Sequence, residues 1–399
     1  MMRPSQEQAM QLALQRVSQQ RLLAAPNPSV GCILISQTGD ILGQGHTQQA
    51  GGPHAEVMAL RDAAAQEKSV VGATAYVTLE PCSHFGRTPP CCNALIDAKV
   101  GKVVVAVLDP NPLVAGKGVQ LLRAAGIEVE VLPTDHPDAI AAREMNLGFF
   151  SRMVRQMPWV RMKIAASLDG KTALNNGASQ WITSEPARAD GHAWRAQASA
   201  VLTGIGTVLT DDPLLDVRYV DTPRQPHVVV VDSQLQISPH ARLFTPRDTS
   251  RHISNSTTNS IASKAINTPT RCLFIYTNAQ NPAKQAALEA KGATVVVLPD
   301  LGQTGRVDLS AMMRDLATRE INELHVEAGP TLNGALIKAG LVDEFLVYLA
   351  PKLLGQGRSM ADFGPLTELT QTVPLDFTSI EKIGTDLRLL ARVTGRTTF

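Results

Sequence analysis

The first half of the chain alternates short apolar runs with segments of helical periodicity. Runs rich in Val and Ile and bounded by Gly, Pro or Asp predict buried strands, at Ser29–Ile35, Thr74–Leu79, Lys102–Leu108 and Glu128–Leu132. Helical spacing predicts helices at Met1–Gln20, Ala55–Ala65, Cys92–Ala98 and Gly116–Ala125. Strands that alternate with helices are typical of a mixed α/β sheet with helices on its faces.

A second α/β series follows a basic, aromatic connector at Gly148–Pro158. Its predicted strands are Val160–Ala165, Ala200–Thr203, His227–Asp232, Cys272–Thr277, Thr294–Leu298, Glu323–Glu327, Phe345–Ala350 and Leu387–Val393. The last two follow one another without a full crossover helix, which indicates an antiparallel edge. The polar segment 249–270, rich in Ser, Thr and Asn, predicts a mobile surface insertion.

The length and composition of the chain limit the number of domains and the classes of substrate and partner to expect. A chain of 399 residues is longer than a single hydrophobic core usually serves. We therefore expect two domains, at 1–150 and 151–399. The net charge of +1 lacks the basic footprint of a nucleic-acid binder, so small molecules are the expected substrates. No secretory signal and no run of 18 apolar residues is found, so no membrane span is expected. Five unevenly spaced cysteines favour a cytoplasmic protein with a metal site over a disulfide framework.

The pattern His54-Ala55-Glu56, then Cys82, then Cys91 carries the strongest chemical signal. One imidazole and two thiolates can hold zinc at three corners of a tetrahedron, and a fourth corner left to water is typical of a catalytic site. In nucleobase deaminases the accompanying glutamate is the general acid and base and is not a ligand. We therefore expect zinc on His54, Cys82 and Cys91, with Glu56 as the proton shuttle.

Two neighbours leave alternatives open. Cys92 adjoins Cys91 and is a competing ligand, although its side chain would point about 100° away around the helix. His84 lies in the loop between the cysteines and is either a substrate contact or a surface histidine. Eight residues separate Cys82 from Cys91, whereas the usual deaminase spacing is Pro-Cys-x-x-Cys.

The long cysteine loop becomes informative when further motifs are considered. The stretches are Pro26-Asn27-Pro28-Ser29-Val30-Gly31, Thr78-Leu79-Glu80-Pro81-Cys82-Ser83-His84, Gly86-Arg87-Thr88-Pro89-Pro90-Cys91, Asp109-Pro110-Asn111-Pro112, Ser167-Leu168-Asp169-Gly170-Lys171, Ser179-Gln180-Trp181-Ile182-Thr183 and Val326-Glu327-Ala328-Gly329-Pro330-Thr331. Together they resemble the bifunctional pyrimidine deaminase and reductase family of riboflavin biosynthesis over nearly the whole chain.

The resemblance implies a fold and an activity. The N-terminal domain would be a cytidine-deaminase-like three-layer αβα domain, and the C-terminal domain an αβ domain similar to dihydrofolate reductase. The implied reactions are zinc-dependent deamination of a phosphoribosylaminopyrimidine and NADPH-dependent reduction of its ribosyl group. A homo-oligomer is also implied, whereas the expectation of no nucleic-acid or membrane partner rests on the net charge and the lack of a long apolar run. The rivals are a zinc nucleoside or tRNA deaminase with an unrelated second domain, a zinc module with a fourth protein ligand, and an enzyme with one live site.

Two glycine-rich turns in the second half are either ordinary turns or candidates for phosphate contacts. Gly329-Pro330-Thr331 leads from a strand into a predicted helix at Leu332–Ala339, and Gly204-Ile205-Gly206-Thr207 also follows a strand. Neither turn is the GxGxxG of a Rossmann fold. The resemblance assigns NADPH contacts to Ala165, Trp181, Thr207, Asp211, Ser233, Gly329, Pro330, Thr331, Leu332, Asn333, Gly334 and Ala335.

The resemblance assigns substrate contacts to Ser179, Arg195, Leu215, Arg218 and Glu327. The two arginines suit a ribose 5′-phosphate, because guanidinium groups bind phosphate bidentately. Glu327 could bind sugar hydroxyls or cap a helix. Lys163 and Asp169 are candidates for positioning the sugar.

Overall fold

The computed structural model describes residues 6–20, 22, 24–84, 89–112, 114–245, 271–302 and 304–399. The chain forms two compact units, the first comprising Met1–Gln156 with Phe399 and the second Met157–Thr398. The predicted insertion at 249–270 lies outside the described residues. Within the described part of the chain, every helix is too short or too polar to cross a membrane.

The elements of the first unit are α1 Gln6–Gln20, β1 Gly31–Ile35, β2 Ile41–His46, α2 Ala55–Ala65, β3 Thr74–Val77, α3 Cys91–Asp97, β4 Lys102–Val105, α4 Lys117–Ala124, β5 Glu128–Val131, α5 Pro137–Glu144 and α6 Leu147–Arg155. The strands form a five-stranded sheet in the order β2-β1-β3-β4-β5, in which β1 is antiparallel to both neighbours and β3, β4 and β5 are parallel.

Alternation along the strands of the first unit produces three layers. On β1, Cys32 and Leu34 pack with residues of α2, α3 and α4, whereas Ile33 and Ile35 pack with residues of α1 and α5 on the opposite face. Successive side chains of a strand point to opposite faces, so both faces of a buried sheet need helices. The predicted three-layer αβα arrangement is confirmed.

Two sequence interpretations of this unit are corrected. The segment described as a connector contains helix α6, which buries Phe149 and Phe150 in the core. Strand β2 was not predicted, because Gly43 and Gly45 break its apolar pattern. Both glycines are needed, since a Cβ at either would overlap the backbone of α2.

The elements of the second unit are β6 Trp159–Ser167, β7 Lys171–Leu174, α7 Glu185–Gln197, β8 Ala200–Gly204, α8 Ile205–Asp211, β9 His227–Val231, β10 Leu273–Thr277, α9 Pro282–Glu289, β11 Ala293–Val297, α10 Leu309–Thr318, β12 Glu323–Val326, α11 Pro330–Lys338, β13 Glu344–Ala350, β14 Gly357–Ser359, β15 Leu375–Ile383 and β16 Asp386–Val393. Its main sheet has nine strands in the order β11-β10-β9-β8-β12-β6-β13-β16-β15.

The strands of this sheet from β11 to β13 are parallel, and β16 and β15 are antiparallel. The predicted antiparallel edge is therefore confirmed. Strands β7 and β14 pair with one another in a separate small sheet. The chain leaves β6, crosses to β8 and returns to insert β12 between them, which opens a crevice at the carboxyl ends of these strands.

A buried charge cluster ties the centre of this sheet together. Arg161 on β6 contacts Glu323 on β12 at 2.9 Å and Glu344 on β13 at 2.5 Å. The ring of Trp194 on α7 lies 4.5 Å from its guanidinium. Because these groups are buried, each charge depends on its partners for solvation.

Arg161→Met is expected to lower the free energy of unfolding of the second unit by about 3–5 kcal/mol, because two buried carboxylates lose a shared partner. Urea unfolding followed by tryptophan fluorescence measures this, since all three tryptophans lie in this unit. Glu381→Gln is the control, because Glu381 is an exposed partner of Arg388 and should matter little. Equal effects of the two changes would contradict the prediction.

Candidate active sites

The first site lies where helix α2 begins. His54 is the N-cap residue of α2, with an extended backbone, and Glu56 lies in the first turn. The helix is held close to strand β2, because Gly45 leaves room for the backbone of Ala55. The close packing of a strand and a helix therefore fixes both chemical groups in place.

The two cysteines come to the same point from other elements. Cys82 follows the end of β3, and Cys91 is the first residue of α3. His54 Nδ1 lies 3.6 Å from Cys82 Sγ and 3.3 Å from Cys91 Sγ, and the three ligand atoms lie within 4.8 Å of one another. Zn–S bonds of about 2.3 Å and Zn–N bonds of about 2.05 Å in a tetrahedron place nitrogen and sulfur about 3.6 Å apart. The spacing of these donors therefore fits zinc.

The neighbouring candidates have different surroundings. Cys92 is buried, and its thiol donates to the carbonyl oxygens of Pro81 at 3.2 Å and Gly118 at 3.6 Å. It packs in the core and stands apart from the group formed by His54, Cys82 and Cys91. His84 lies in the cysteine loop, where its Nδ1 is buried without a hydrogen-bond partner among the described residues.

The pKa values in the site favour a thiolate at Cys82 and a carboxyl group at Glu56 that can take up and release a proton. Glu56 is buried, and this burial raises the pKa of its carboxyl group to about 7. Contacts from Cys91 and His54 lower the pKa of the Cys82 thiol to about 4. The backbone N–H of Cys91 also points at Cys82 Sγ at 3.3 Å. These contacts stabilise a thiolate, which is the form that binds metal.

Sequence reasoning gave no role to Glu80, although the structure does. Its buried carboxylate accepts hydrogen bonds from the backbone N–H groups of Asp109 at 3.2 Å, Gly116 at 2.8 Å and Val119 at 3.1 Å. This residue therefore ties the 109–119 segment to the strand end that carries Cys82. A glutamate two residues before a predicted zinc ligand, Cys82, was the available signal.

The second site is a cavity of about 990 Å³ in the second unit. It lies where strands β6, β12, β8 and β9 end, between the two glycine-rich turns. Most of the residues with predicted NADPH contacts line it: Ala165, Thr207, Asp211, Ser233, Gly329, Pro330, Thr331, Leu332, Asn333 and Ala335.

The glycine-rich turns fit a phosphate-bearing cofactor. Gly329 is the N-cap of α11, and a Cβ added there or at Gly206 would meet open space. A Cβ at Gly204 would lie 3.3 Å from the Leu332 side chain, so the two turns are neighbours in the wall of the cavity. Open backbone at a helix start favours an anion.

Two predicted cofactor residues stand apart from the cavity lining. Trp181 is exposed, with the Arg188 guanidinium 4.3 Å from its ring, and its carbonyl accepts from Lys352 at 3.2 Å. Gly334 lies inside α11, where a Cβ would overlap the backbone of Asp362. Gly334 thus allows the backbone of Asp362 to pack closely against α11.

One end of the cavity carries a set of charged side chains, of which Arg195 is buried and Glu327 and Lys163 are partly buried. Arg195 on α7 holds Glu327 through two hydrogen bonds of 2.7 Å and donates a third to the carbonyl of Asp216. Although burial alone would raise it, the pKa of Glu327 is held well below its usual value by Arg195. Burial lowers the pKa of Lys163, which lines the same cavity as Glu327. Because its guanidinium already donates to Glu327 and Asp216, Arg195 is better placed to orient Glu327 than to bind a phosphate.

The remaining predicted substrate residues lie in different places. Ser179 lines the cavity. Leu215 is buried. Arg218 is half-exposed, with Nε 3.7 Å from Asp216 Oδ1, and its backbone N–H donates to His192 at 3.2 Å. Its exposed guanidinium leaves Arg218 as the better phosphate candidate of the two arginines.

Comparison with known proteins decides the family. Residues 158–389 match the family model of the RibD C-terminal domain, and residues 3–107 match that of the cytidine and deoxycytidylate deaminase zinc-binding region. The chain belongs to the RibD family. The riboflavin biosynthesis protein RibD of Escherichia coli (strain K12) is 41% identical over 397 residues, which cover 96% of this chain and 98% of that protein.

Solved structures of RibD proteins agree with this assignment. Acinetobacter baumannii RibD, form 1, superposes with a TM-score of 0.81 at 37% identity, covering 97% of this chain and 98% of that one. A Thermotoga maritima diaminohydroxyphosphoribosylaminopyrimidine deaminase/5-amino-6-(5-phosphoribosylamino)uracil reductase superposes with a TM-score of 0.78 at 27% identity, covering 97% and 98%. This RibD chain is thus a bifunctional deaminase and reductase of riboflavin biosynthesis, and an unrelated second domain is excluded.

Proposed function

We propose that the chain catalyses two consecutive reactions, with the deaminase in residues 1–150 and the reductase in residues 151–399. The first converts 2,5-diamino-6-(5-phosphoribosylamino)pyrimidin-4(3H)-one to 5-amino-6-(5-phosphoribosylamino)uracil with loss of ammonia. The second uses NADPH to reduce the ribosyl group to a ribityl chain. The observation that carries the proposal is the convergence of His54, Cys82 and Cys91 beside the buried Glu56.

In the deaminase, His54, Cys82 and Cys91 would hold zinc. When bound, zinc supplies Lewis-acid activation of a water molecule. Glu56 is the buried carboxylate beside these ligands, and its side chain takes the proton of the attacking water. It then delivers that proton to the amino group, which leaves the pyrimidine C2 carbon as ammonia. Glu80 holds the backbone at Asp109, Gly116 and Val119 close to the strand end that carries Cys82.

In the reductase, the cavity between the glycine-rich turns would hold NADPH. When bound, NADPH supplies a hydride, and its acceptor is C1′ of the ring-opened ribosylamino group. Glu327, fixed by Arg195, presents a carboxylate to the sugar hydroxyls, and Lys163 lies in the same cavity. Holding the cofactor and the sugar in register is the main contribution that these side chains can make.

Purified protein incubated with the diaminopyrimidine tests both reactions. We expect ammonia in the presence or absence of NADPH, and ribityl product only when NADPH is added. Absence of ammonia would overturn the deaminase assignment, and absence of ribityl product from the deaminated intermediate would overturn the reductase assignment. We also propose that the protein is a homo-oligomer, as the resemblance implies, and that it is cytoplasmic, as its unevenly spaced cysteines favour.

Arg218→Ala is expected to raise the reductase KM for the phosphorylated intermediate about tenfold or more, with a smaller change in kcat, because a charged hydrogen bond to phosphate is lost. Steady-state kinetics measure this effect. The dephosphorylated intermediate is the matched control, and its KM should be the same for both proteins. An unchanged KM for the phosphorylated form would remove Arg218 from the phosphate site.

A further inference from the structure

The cofactor cavity extends across several parallel strands. Lys163 lies on β6 and Glu327 follows β12, whereas Ser233 follows β9 and Arg306 follows β11. In the sheet these strands lie in the order β6, β12, β8, β9, β10, β11. At about 4.8 Å for each strand step, the first and last of them are about 24 Å apart. The cavity therefore has a reaction end near Glu327 and a distant end near Arg306.

The distant end is built from two turns that contact each other. The turn after β11 is closed by an antiparallel bridge between Pro299 and Val307 and by a hydrogen bond of 3.1 Å from Asp300 N–H to the Arg306 carbonyl. Gln234, in the turn after β9, reaches the carbonyl of Gly305 at 3.5 Å. Arg306 thus lies in a closed turn that contacts the turn carrying Ser233, and both residues line the cavity.

Arg306 carries a positive charge that the described protein leaves unneutralised. Its side chain is exposed and lines the cavity, and among the described residues it forms no ion pair. The acid in its own turn, Asp300, accepts from the Thr304 N–H at 2.9 Å and the Thr304 hydroxyl at 2.7 Å. The other cations of the lining are Lys163, at the reaction end near Glu327, and Arg358, which lies on β14 next to Gly177.

A dinucleotide that places its nicotinamide near Glu327 and its pyrophosphate at the glycine-rich turns must place its adenosine at the distant end. NADPH differs from NADH by a phosphate on the adenosine ribose. We propose that Arg306 binds this 2′-phosphate and determines the preference for NADPH, an inference that rests on the proposed reductase function. A guanidinium group suits this role because it binds phosphate bidentately.

Binding of cofactor fragments tests the proposal without relying on turnover. Isothermal titration calorimetry compares adenosine 2′,5′-bisphosphate with 5′-AMP, which lacks the 2′-phosphate. We expect Arg306→Ala to weaken binding of the bisphosphate about tenfold or more while binding of 5′-AMP changes little. Arg314→Ala is the matched control, since Arg314 is an exposed arginine on α10 outside the cavity lining, and it should bind both fragments as the wild type does.

The outcomes distinguish a failure of the role of Arg306 from a failure of the reductase function. If Arg306→Ala keeps the wild-type preference for the bisphosphate, or if the wild type shows no preference, the role of Arg306 is wrong. The reductase function would still stand in either case, provided that the wild type forms the ribityl product with NADPH. Arg306→Lys adds a further check, because a lysine should restore part of the preference through charge without the bidentate geometry.

Discussion

Glu56→Gln is expected to lower kcat for ammonia release about 10²–10⁴-fold, because the amide cannot carry the proton from water to the leaving amine. Glutamine has nearly the same shape as glutamate, so the packing of this buried position should persist. Ammonia release from the diaminopyrimidine measures the loss, and metal analysis should find wild-type zinc content, since Glu56 is not a proposed ligand.

The reductase provides an internal control for this variant. Glu56→Gln supplied with the deaminated intermediate and NADPH should form the ribityl product at the wild-type rate, because the reductive residues lie in the other unit. Deamination at the normal rate would show that Glu56 is not the proton carrier. A loss of zinc would show instead that the carboxylate supports the metal.

Cys91→Ala is expected to abolish both zinc binding and deamination, because two protein ligands cannot hold the metal as three do. Cys92→Ala is the matched control, since it removes the same atom from the next residue. Cys92 contributes its thiol to the Pro81 and Gly118 carbonyls, so its loss should lower the stability and leave zinc in place. Zinc content measured by mass spectrometry and ammonia release distinguish the two variants.

The opposite results for the two variants would make Cys92, and not Cys91, the zinc ligand. If Cys92→Ala lost zinc and Cys91→Ala kept it, the metal would lie on the other side of α3. If both kept zinc, the site would not depend on either cysteine. Reductase activity again reports whether each purified protein is folded in its second unit.

The predictability of the first unit differs between elements. The helix at Ala55–Ala65 was predicted with the observed bounds, because a regular apolar stripe signals its period directly. Strand β2 and helix α6 were missed, since glycines interrupt the pattern of one and clustered basic residues disguise the other. Their formation depends on packing against α2 and the core, which the local sequence does not record.

Residue types and their order were enough to predict the proposed zinc donors, the glutamate beside them and the family that the motifs resemble. Residue type and order are enough for these, because the chemistry of a ligand belongs to its side chain. The folded arrangement was needed to show that Glu327 neutralises Arg195, that Glu80 holds the backbone at Asp109, Gly116 and Val119, and that Arg306 shares a cavity with Glu327. Those facts depend on strands brought together from distant parts of the chain, and their order in the sheet cannot be read from local periodicity.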